Sequence, residues 1–325
     1  MKPSSIAYVI VAYRNDVEIL RELSENLLKV TRDSGFESAV YMVFNDDCEF
    51  DNVRGVHAYS GHGNVGFAKG VAIATADVSE DYVICVNPDC VVDSTQLGLF
   101  LRSISLERCI LLPRLIKPSG ELDHEPYEYW TFTLSRMISE RLCKRFLSKT
   151  AVSSVPYKLP IYAKASGAFV GMPSAVAREL DSPFDTDFFL YAEDRDMTRR
   201  ARSSGIALLY VASSSITHEG GVSGQSISNF VDAAKTDGSV RFAYRRYGRV
   251  GAALYVLDEW LHDRTKMLLG RRVNREARRS AARRWCAARF NDPGPLSEQL
   301  LLQLTGASDS TKNRKNSAKQ TGDLR

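Results

Sequence analysis

The chain is poor in the features that would place it in several large protein classes. No run approaches 18 consecutive apolar residues, which argues against a membrane-spanning helix. Met1-Lys2-Pro3-Ser4-Ser5 leads into a short apolar strand instead of a cleavable secretory signal. Six cysteines are present (Cys48, Cys85, Cys90, Cys109, Cys143, Cys286) without a Cys-x-x-Cys pair, so a reducing cytoplasm with most of them as core packing fits best. There is no internal repeat, no P-loop signature and no recognised nucleic-acid reading motif.

What remains is an ordinary globular composition, 325 residues with 44% hydrophobic and 25% charged. That length accommodates one large domain or two smaller ones. The net charge of +4 hides an asymmetry: residues 1–240 hold 24 Lys/Arg against 31 Asp/Glu, and residues 241–325 hold 19 against 8. A mildly acidic body carries a basic C-terminal segment of the kind that meets anionic lipid, nucleic acid or acidic protein, or stays solvated.

The apolar pattern alternates between strand and helix. Strands are predicted at 7–13, 40–44, 56–59, 82–86, 109–112, 168–172 and 207–211, and helices at about 17–34 and 67–76. This order argues for an α/β domain with a mainly parallel sheet and helices on both faces. Ligands of such sheets sit beyond the carboxyl ends of the strands, where Asn45-Asp46-Asp47 and Asn87-Pro88-Asp89 fall. Residues 117–162 have weak periodicity, the breakers Pro118, Gly120, Pro126, Pro156 and Pro160, and the aromatics Tyr127, Tyr129, Trp130 and Phe132. They are expected to form a variable region beside the site. The chain after about 226 is expected to be helical and basic, its apolar residues at i, i+3, i+4 beside arginines suiting either an anionic membrane surface or packing on the catalytic domain with the arginines in water, and 306–325 to be disordered.

The densest chemistry lies in Phe184-Asp185-Thr186-Asp187-Phe188-Phe189-Leu190-Tyr191-Ala192-Glu193-Asp194-Arg195-Asp196. Carboxylates crowded among aromatics repel one another and are costly to bury, so at least one is expected to be catalytic. Helix N-terminal charge is the alternative for Glu193, Asp194 and Asp196. Arg199-Arg200 suit either phosphate or water. Asn64-Val65-Gly66-Phe67-Ala68-Lys69-Gly70 opens a helix with two glycines, which is either a simple turn or a phosphate seat. Asp89, after the buried strand and Pro88, is placed to ligate a hard cation that neutralises a diphosphate, with turn chemistry as the alternative. His218, before Gly220-Gly221, is a surface residue or a second ligand; imidazole beside carboxylate favours Mn²⁺ over Mg²⁺ without excluding it.

These stretches, in this order, resemble the inverting glycosyltransferases of family 2 with the GT-A fold, in their rhamnosyltransferase-like bacterial branch. The resemblance runs from about residue 6 to 226. It rests on Val9-Ile-Val-Ala-Tyr-Arg-Asn15, Asn64 to Gly70, Val86-Asn-Pro-Asp89, Ala165-Ser-Gly-Ala-Phe169, Phe184-Asp185, Phe189 to Asp196 and His218-Glu-Gly-Gly221. Asn45-Asp46 departs from the Asp-Asn common in such relatives, and Ala72 stands where they often carry Asn.

The resemblance implies a catalytic domain at 1–226, within which 117–162 is the acceptor-side variable region; composition marks 227–305 as a basic helical segment. It implies a hexosyltransferase with Asp194 as general base, and Glu193 beside it contacting acceptor or orienting the base. Asp89 and His218 would hold the metal, Mn²⁺ or Mg²⁺. Tyr13, Asn45, Asp46, Asn64, Gly66, Lys69, Asn87, Asp89 and Gly167 would line the donor site. The expected partners are a nucleotide-sugar donor (dTDP-L-rhamnose ahead of a UDP-hexose), a cell-surface glycan or lipid-linked acceptor and an anionic membrane surface, but no nucleic acid. The expected location is the cytoplasm, at the inner face of the membrane. A sugar-1-phosphate nucleotidyltransferase and an inert lipid- or nucleic-acid-binding module are the alternatives.

Overall fold

A computed structural model describes residues 2–46, 48, 50, 53–123, 129, 132–220, 228–269 and 275–305. Asp47, Tyr127, Trp130, Gly221, Arg271, Arg272 and the tail 306–325 lie outside them, so the expectations placed on those residues have no structural counterpart.

The first strand, β1 (Ser5–Ala12), is buried along nearly its whole length. Helix α1 (Val17–Asp33) follows, capped by Asp16, whose carboxylate accepts from the Glu18 N–H at 2.8 Å. The chain continues through β2 (Glu37–Phe44), β3 (Val56–Tyr59), α2 (Phe67–Ala76) and β4 (Tyr82–Val86). Strand β1 pairs in parallel with β2 and with β4, and β2 with β3. The chain therefore winds outward from β1 to β3 and returns across β1 to β4. Right-handed crossovers in opposite directions put α1 and α2 on opposite faces. The reversal creates a crevice beyond the carboxyl ends of β1 and β4.

The second half comprises β5 (Cys90–Val91), α3 (Ser94–Ser103), β6 (Cys109–Ile116), α4 (Thr133–Lys149), β7 (Tyr157–Lys158), β8 (Phe169–Pro173), α5 (Ser174–Glu179), α6 (Glu193–Ser203) and β9 (Ala207–His218). The sheet order is β3-β2-β1-β4-β8-β6-β9-β5, with β7 also on β9. Strands β3, β2, β1, β4, β6 and β9 run one way; β8, β5 and β7 run the other. The sheet is thus mainly parallel, as expected. One hydrophobic core spans Ile6 to Ile216.

The basic segment folds as α7 (Ser228–Leu268), α8 (Arg275–Ala287) and α9 (Glu298–Thr305). Helix α7 breaks at Gly248, whose φ of 64° and ψ of −158° only glycine adopts without strain. These helices do not stand apart. Phe189 of the acidic-aromatic segment packs with Phe230, Ala233, Ala234, Ala277, Ala281, Leu296 and Leu301 in a second core.

Candidate active site

Hydrogen bonds link the loops at the carboxyl ends of β1, β2 and the start of α2 to the acidic segment. The Asn45 N–H donates to Ala12 O at 2.8 Å, and its side-chain amide donates to Gly66 O at 3.0 Å. The Gly66 N–H donates to Asn64 Oδ1 at 3.0 Å, and the Phe67 N–H to Phe189 O at 2.8 Å. Gly66 is required here: its φ is 84°, and a Cβ would stand 2.3 Å from Phe189 O. Asp46 receives the Arg14 N–H at 2.6 Å, with Arg14 at a left-handed φ of 58°. Tyr13 donates to Glu298 Oε1 at 3.1 Å, and Asn64 Nδ2 donates to the same oxygen at 3.2 Å.

A second cluster forms where β5 meets β9. Their antiparallel register sets Cys90 opposite His218, bringing Asp89 Oδ1 to 3.6 Å from His218 Nε2. Asp89 Oδ1 and His218 Nδ1 are both buried without a hydrogen-bond partner. Buried polar atoms are normally paired with protein, water or a ligand, so each of these two atoms has room for a further partner. A carboxylate oxygen and an imidazole nitrogen suit a borderline-hard divalent cation. Among the described residues there is no group of three or more His, Cys, Asp or Glu that could hold a metal, so the pair would share an ion with substrate oxygens or water.

The acidic segment turns into α6 through two consecutive non-glycine residues in the left-handed region, Tyr191 at φ 69° and Ala192 at φ 70°. Strain of this kind persists only where the surroundings enforce it. Gly238 of α7 supplies part of that enforcement, packing so close that a Cβ there would stand 2.3 Å from Tyr191 O. No side chain caps α6, and Glu193, Asp194 and Asp196 occupy its positive first turn. Their environments differ. Asp196 is fully buried and clamped by Arg199 at 2.7 Å and Arg200 at 2.8 Å. Arg200 also donates to Leu180 O, Ser182 O and Pro183 O. Arg200 is thus taken up inside the fold, Arg199 keeps a partly exposed side chain, and Asp196 serves the structure. Asp194 pairs with Lys164, itself nearly buried. Glu193 is buried with Oε2 unpartnered; desolvation, then the charge of Asp194, pushes its carboxyl up to about 8. Gly167 borders Asp194, whose Cβ would lie 3.7 Å from a Cβ at that glycine.

Tyr191 joins the clusters. Burial raises its hydroxyl to about 12, helped by the negative charges of Glu193, Asp89 and Asp232. Carboxylates of both clusters thus act on Tyr191.

No family model and no curated protein sequence matches the chain. Solved structures do. A mannosyltransferase from Pyrobaculum calidifontis, PcManGT in complex with GDP-Man and Mn²⁺, matches at 14% identity over 100% of this chain and 89% of its own, with a TM-score of 0.50. GalNAc-T7 with UDP, GalNAc and Mn²⁺ matches at 14% identity over 67% of this chain, with a TM-score of 0.47; this chain spans 43% of that protein. The fold is GT-A.

On this GT-A scaffold the expected residues separate by contact. Asn45, Asn64, Gly66 and Tyr13 are tied into one loop system, Asp89 and His218 into a pair, and Gly167, Glu193 and Asp194 into a third group. Asn87 is anchored through its N–H to Ala168 O at 2.8 Å. Lys69 is exposed on the first turn of α2. Sequence reasoning missed Lys164, Tyr191 and Glu298. Lys164 sits one residue before the Ala165–Phe169 motif; a lone lysine there carries no signal until α6 brings Asp194 to it.

Proposed function

We propose that this protein is a metal-assisted inverting glycosyltransferase of the family 2 type, moving a hexosyl group from a nucleoside-diphosphate sugar to an acceptor hydroxyl. What supports this is a GT-A fold that carries both the Asp89–His218 pair, with Asp89 Oδ1 and His218 Nδ1 unpartnered, and the Glu193–Asp194 turn at the start of α6. A divalent cation, Mn²⁺ or Mg²⁺, held by Asp89 and His218 supplies positive charge against the donor's diphosphate. Asn64, Gly66, Lys69 and Asn87 surround the diphosphate side, and Tyr13, Asn45 and Asp46 the nucleoside side. Gly167 leaves room between donor and base.

Asp194, held in place by Lys164, takes the proton of the acceptor hydroxyl. The hydroxyl oxygen forms its bond to the anomeric carbon as the bond to the diphosphate oxygen breaks, and the electron pair leaves with the diphosphate. One in-line displacement inverts the anomeric centre. Glu193, protonated around neutral pH, stays uncharged behind Asp194 and orients the turn. dTDP-L-rhamnose is the donor we favour, ahead of a UDP-hexose, on the likeness of the sequence motifs. The proposed acceptor is a lipid-linked or cell-surface glycan intermediate, met at the cytoplasmic face of the membrane.

The test is divalent-dependent release of nucleoside diphosphate from a panel of nucleotide sugars. Asp194→Asn is expected to keep donor binding and lose transfer by about 10²–10⁴-fold. Transfer within threefold of wild type would remove Asp194 from the role of base. Release of pyrophosphate instead would point to a nucleotidyltransferase.

A further inference from the structure

The loop system at the carboxyl end of β1 holds a carboxylate that comes from the far end of the chain. Glu298, the first residue of α9, accepts through one oxygen, Oε1, from both Tyr13 OH and Asn64 Nδ2. That leaves Oε2 for another donor, because a carboxylate accepts at about four lone-pair sites. Glu298 is half-buried.

Its position is enforced by charge. Arg241, fully buried, binds Asp292 at 2.7 Å and donates to Gly294 O. Arg284 donates to Pro293 O, Gly294 O and Pro295 O and pairs with Asp237 at 2.9 Å. These two arginines clamp the 292–295 turn, and Leu296 and Leu301 bury the start of α9 against Phe189 and Phe230. A carboxylate held this firmly beside a tyrosine and an asparagine has a purpose beyond capping an eight-residue helix.

Resting on the glycosyltransferase reading, we propose that Glu298 belongs to the donor pocket and accepts the sugar hydroxyls of the donor's nucleoside. Nucleosides lie at the switch point of doubly wound sheets, and a carboxylate is the group that accepts from their ribose hydroxyls in such folds. The usual source is an element close to the first strand. Here it is delivered by the C-terminal helices, 285 residues after Tyr13. The nucleoside half of the pocket is therefore closed only when the C-terminal segment is docked.

The experiment is calorimetry on the full chain with Mn²⁺. Whichever of UDP, dTDP and GDP binds best is compared with its 2′,3′-dideoxy counterpart. Wild type is expected to favour the hydroxyl-bearing nucleotide by roughly ten- to hundredfold, the range for a hydrogen bond to a charged group. In Glu298→Ala that ratio is expected to collapse to near one. An unchanged ratio overturns the assignment, and so does tighter binding of both nucleotides, which would make Glu298 a latch that competes with the donor. Glu298→Gln keeps an acceptor for Tyr13 and Asn64 and so holds α9 in place. It decides the matter if Glu298→Ala does not fold: the ratio must fall there by about threefold or more. Failure of every nucleoside diphosphate to bind wild type would instead sink the glycosyltransferase reading, and this assignment with it.

Discussion

Glu193 makes the site's electrostatics measurable. Its carboxyl ionises near 4.5 in the unfolded chain and at about 8 in the folded protein. Between those values the folded state holds a proton that the unfolded state has released. Stability is therefore full below about 4.5 and falls as pH rises toward about 8, by at most about 1.4 kcal/mol per pH unit for this one group. Glu193→Gln is expected to flatten that part of the pH–stability curve, read from urea midpoints between pH 5 and 8. An unchanged slope would mean that Glu193 is already ionised in the folded protein. The orphaned atoms of Asp89 and His218 yield a second measurement. Asp89→Ala and His218→Ala are each expected to weaken Mn²⁺-dependent nucleoside diphosphate binding, and unchanged affinity in both would remove the metal assignment. At this scale the sequence was legible where chemistry is concentrated, as in the Glu193-Asp194 turn and Asp89. It was mute where a partner comes from far away, as Lys164 does to Asp194 and Glu298 to Tyr13.

Among the elements, apolar runs rich in β-formers made β1, β2 and β4 readable. Several short elements were not read, and two departures have clear physical reasons: α4 was missed and β9 was cut short. Helix α4 buries Ser139, Cys143 and Leu147 and turns Leu134, Met137 and Ile138 outward, so its apolar residues mark the wrong face. Strand β9 runs for 12 residues, well beyond the five apolar ones, because its polar middle is satisfied locally. Ser214 donates to Gln96 O at 2.8 Å and the Ser215 N–H to Gln96 Oε1 at 2.7 Å, across a register shift in β6 between Pro113 and Arg114. That length is what carries His218 to Asp89. Helix α7 invites a direct test. Gly238→Ala drives a methyl group into Tyr191 O and is expected to cost about 1–3 kcal/mol, the range for overpacking. It should also impair transfer through the Tyr191–Ala192 turn. Gly98→Ala on α3 meets nothing within 4 Å and is expected to be neutral or to stabilise by about 0.5–1 kcal/mol. Equal denaturation midpoints for the two variants would show that α7 does not press on that turn.

For the molecule as a whole, the C-terminal charge divides into two populations. Arg241, Arg245, Arg278 and Arg284 are spent inside: Arg245 holds Asp185 at 3.3 Å and also pairs with Asp187, and Arg278 sits 3.3 Å from Asp263. Phe242 and Trp285 are buried as well. That part of the segment follows the packing alternative. The outward population includes Arg249 and Arg264, which flank an exposed apolar stripe beyond the kink, Val250, Leu254, Leu257, Leu261 and Leu268, at alternating three- and four-residue spacing apart from the last step. No helix among the described residues is long and apolar enough to cross a membrane. An exposed stripe with nearby Arg249, Arg264 and Lys266 suits lying on one. The full chain is expected to sediment with anionic vesicles and less with neutral ones, each basic residue near the surface contributing about 1 kcal/mol at low salt. Leu257→Glu with Leu261→Glu should abolish sedimentation without changing the denaturation midpoint. Equal recovery in the supernatant for wild type on all vesicles would end the membrane proposal.

The route of the chain also gives the protein a timetable. Strand β9 is the last to enter the sheet, and Glu298 follows His218 by 80 residues. At about 5–20 residues per second, a ribosome needs roughly 4–16 s to cover that distance. For roughly the first quarter of that interval Tyr191 lacks Gly238, and for most of it Phe189 lacks Ala277, Ala281, Leu296 and Leu301. Newly made chains pass through an inactive adolescence with a greasy aromatic loop on display. That interval, more than the mature protein, is when a chaperone would have something to hold.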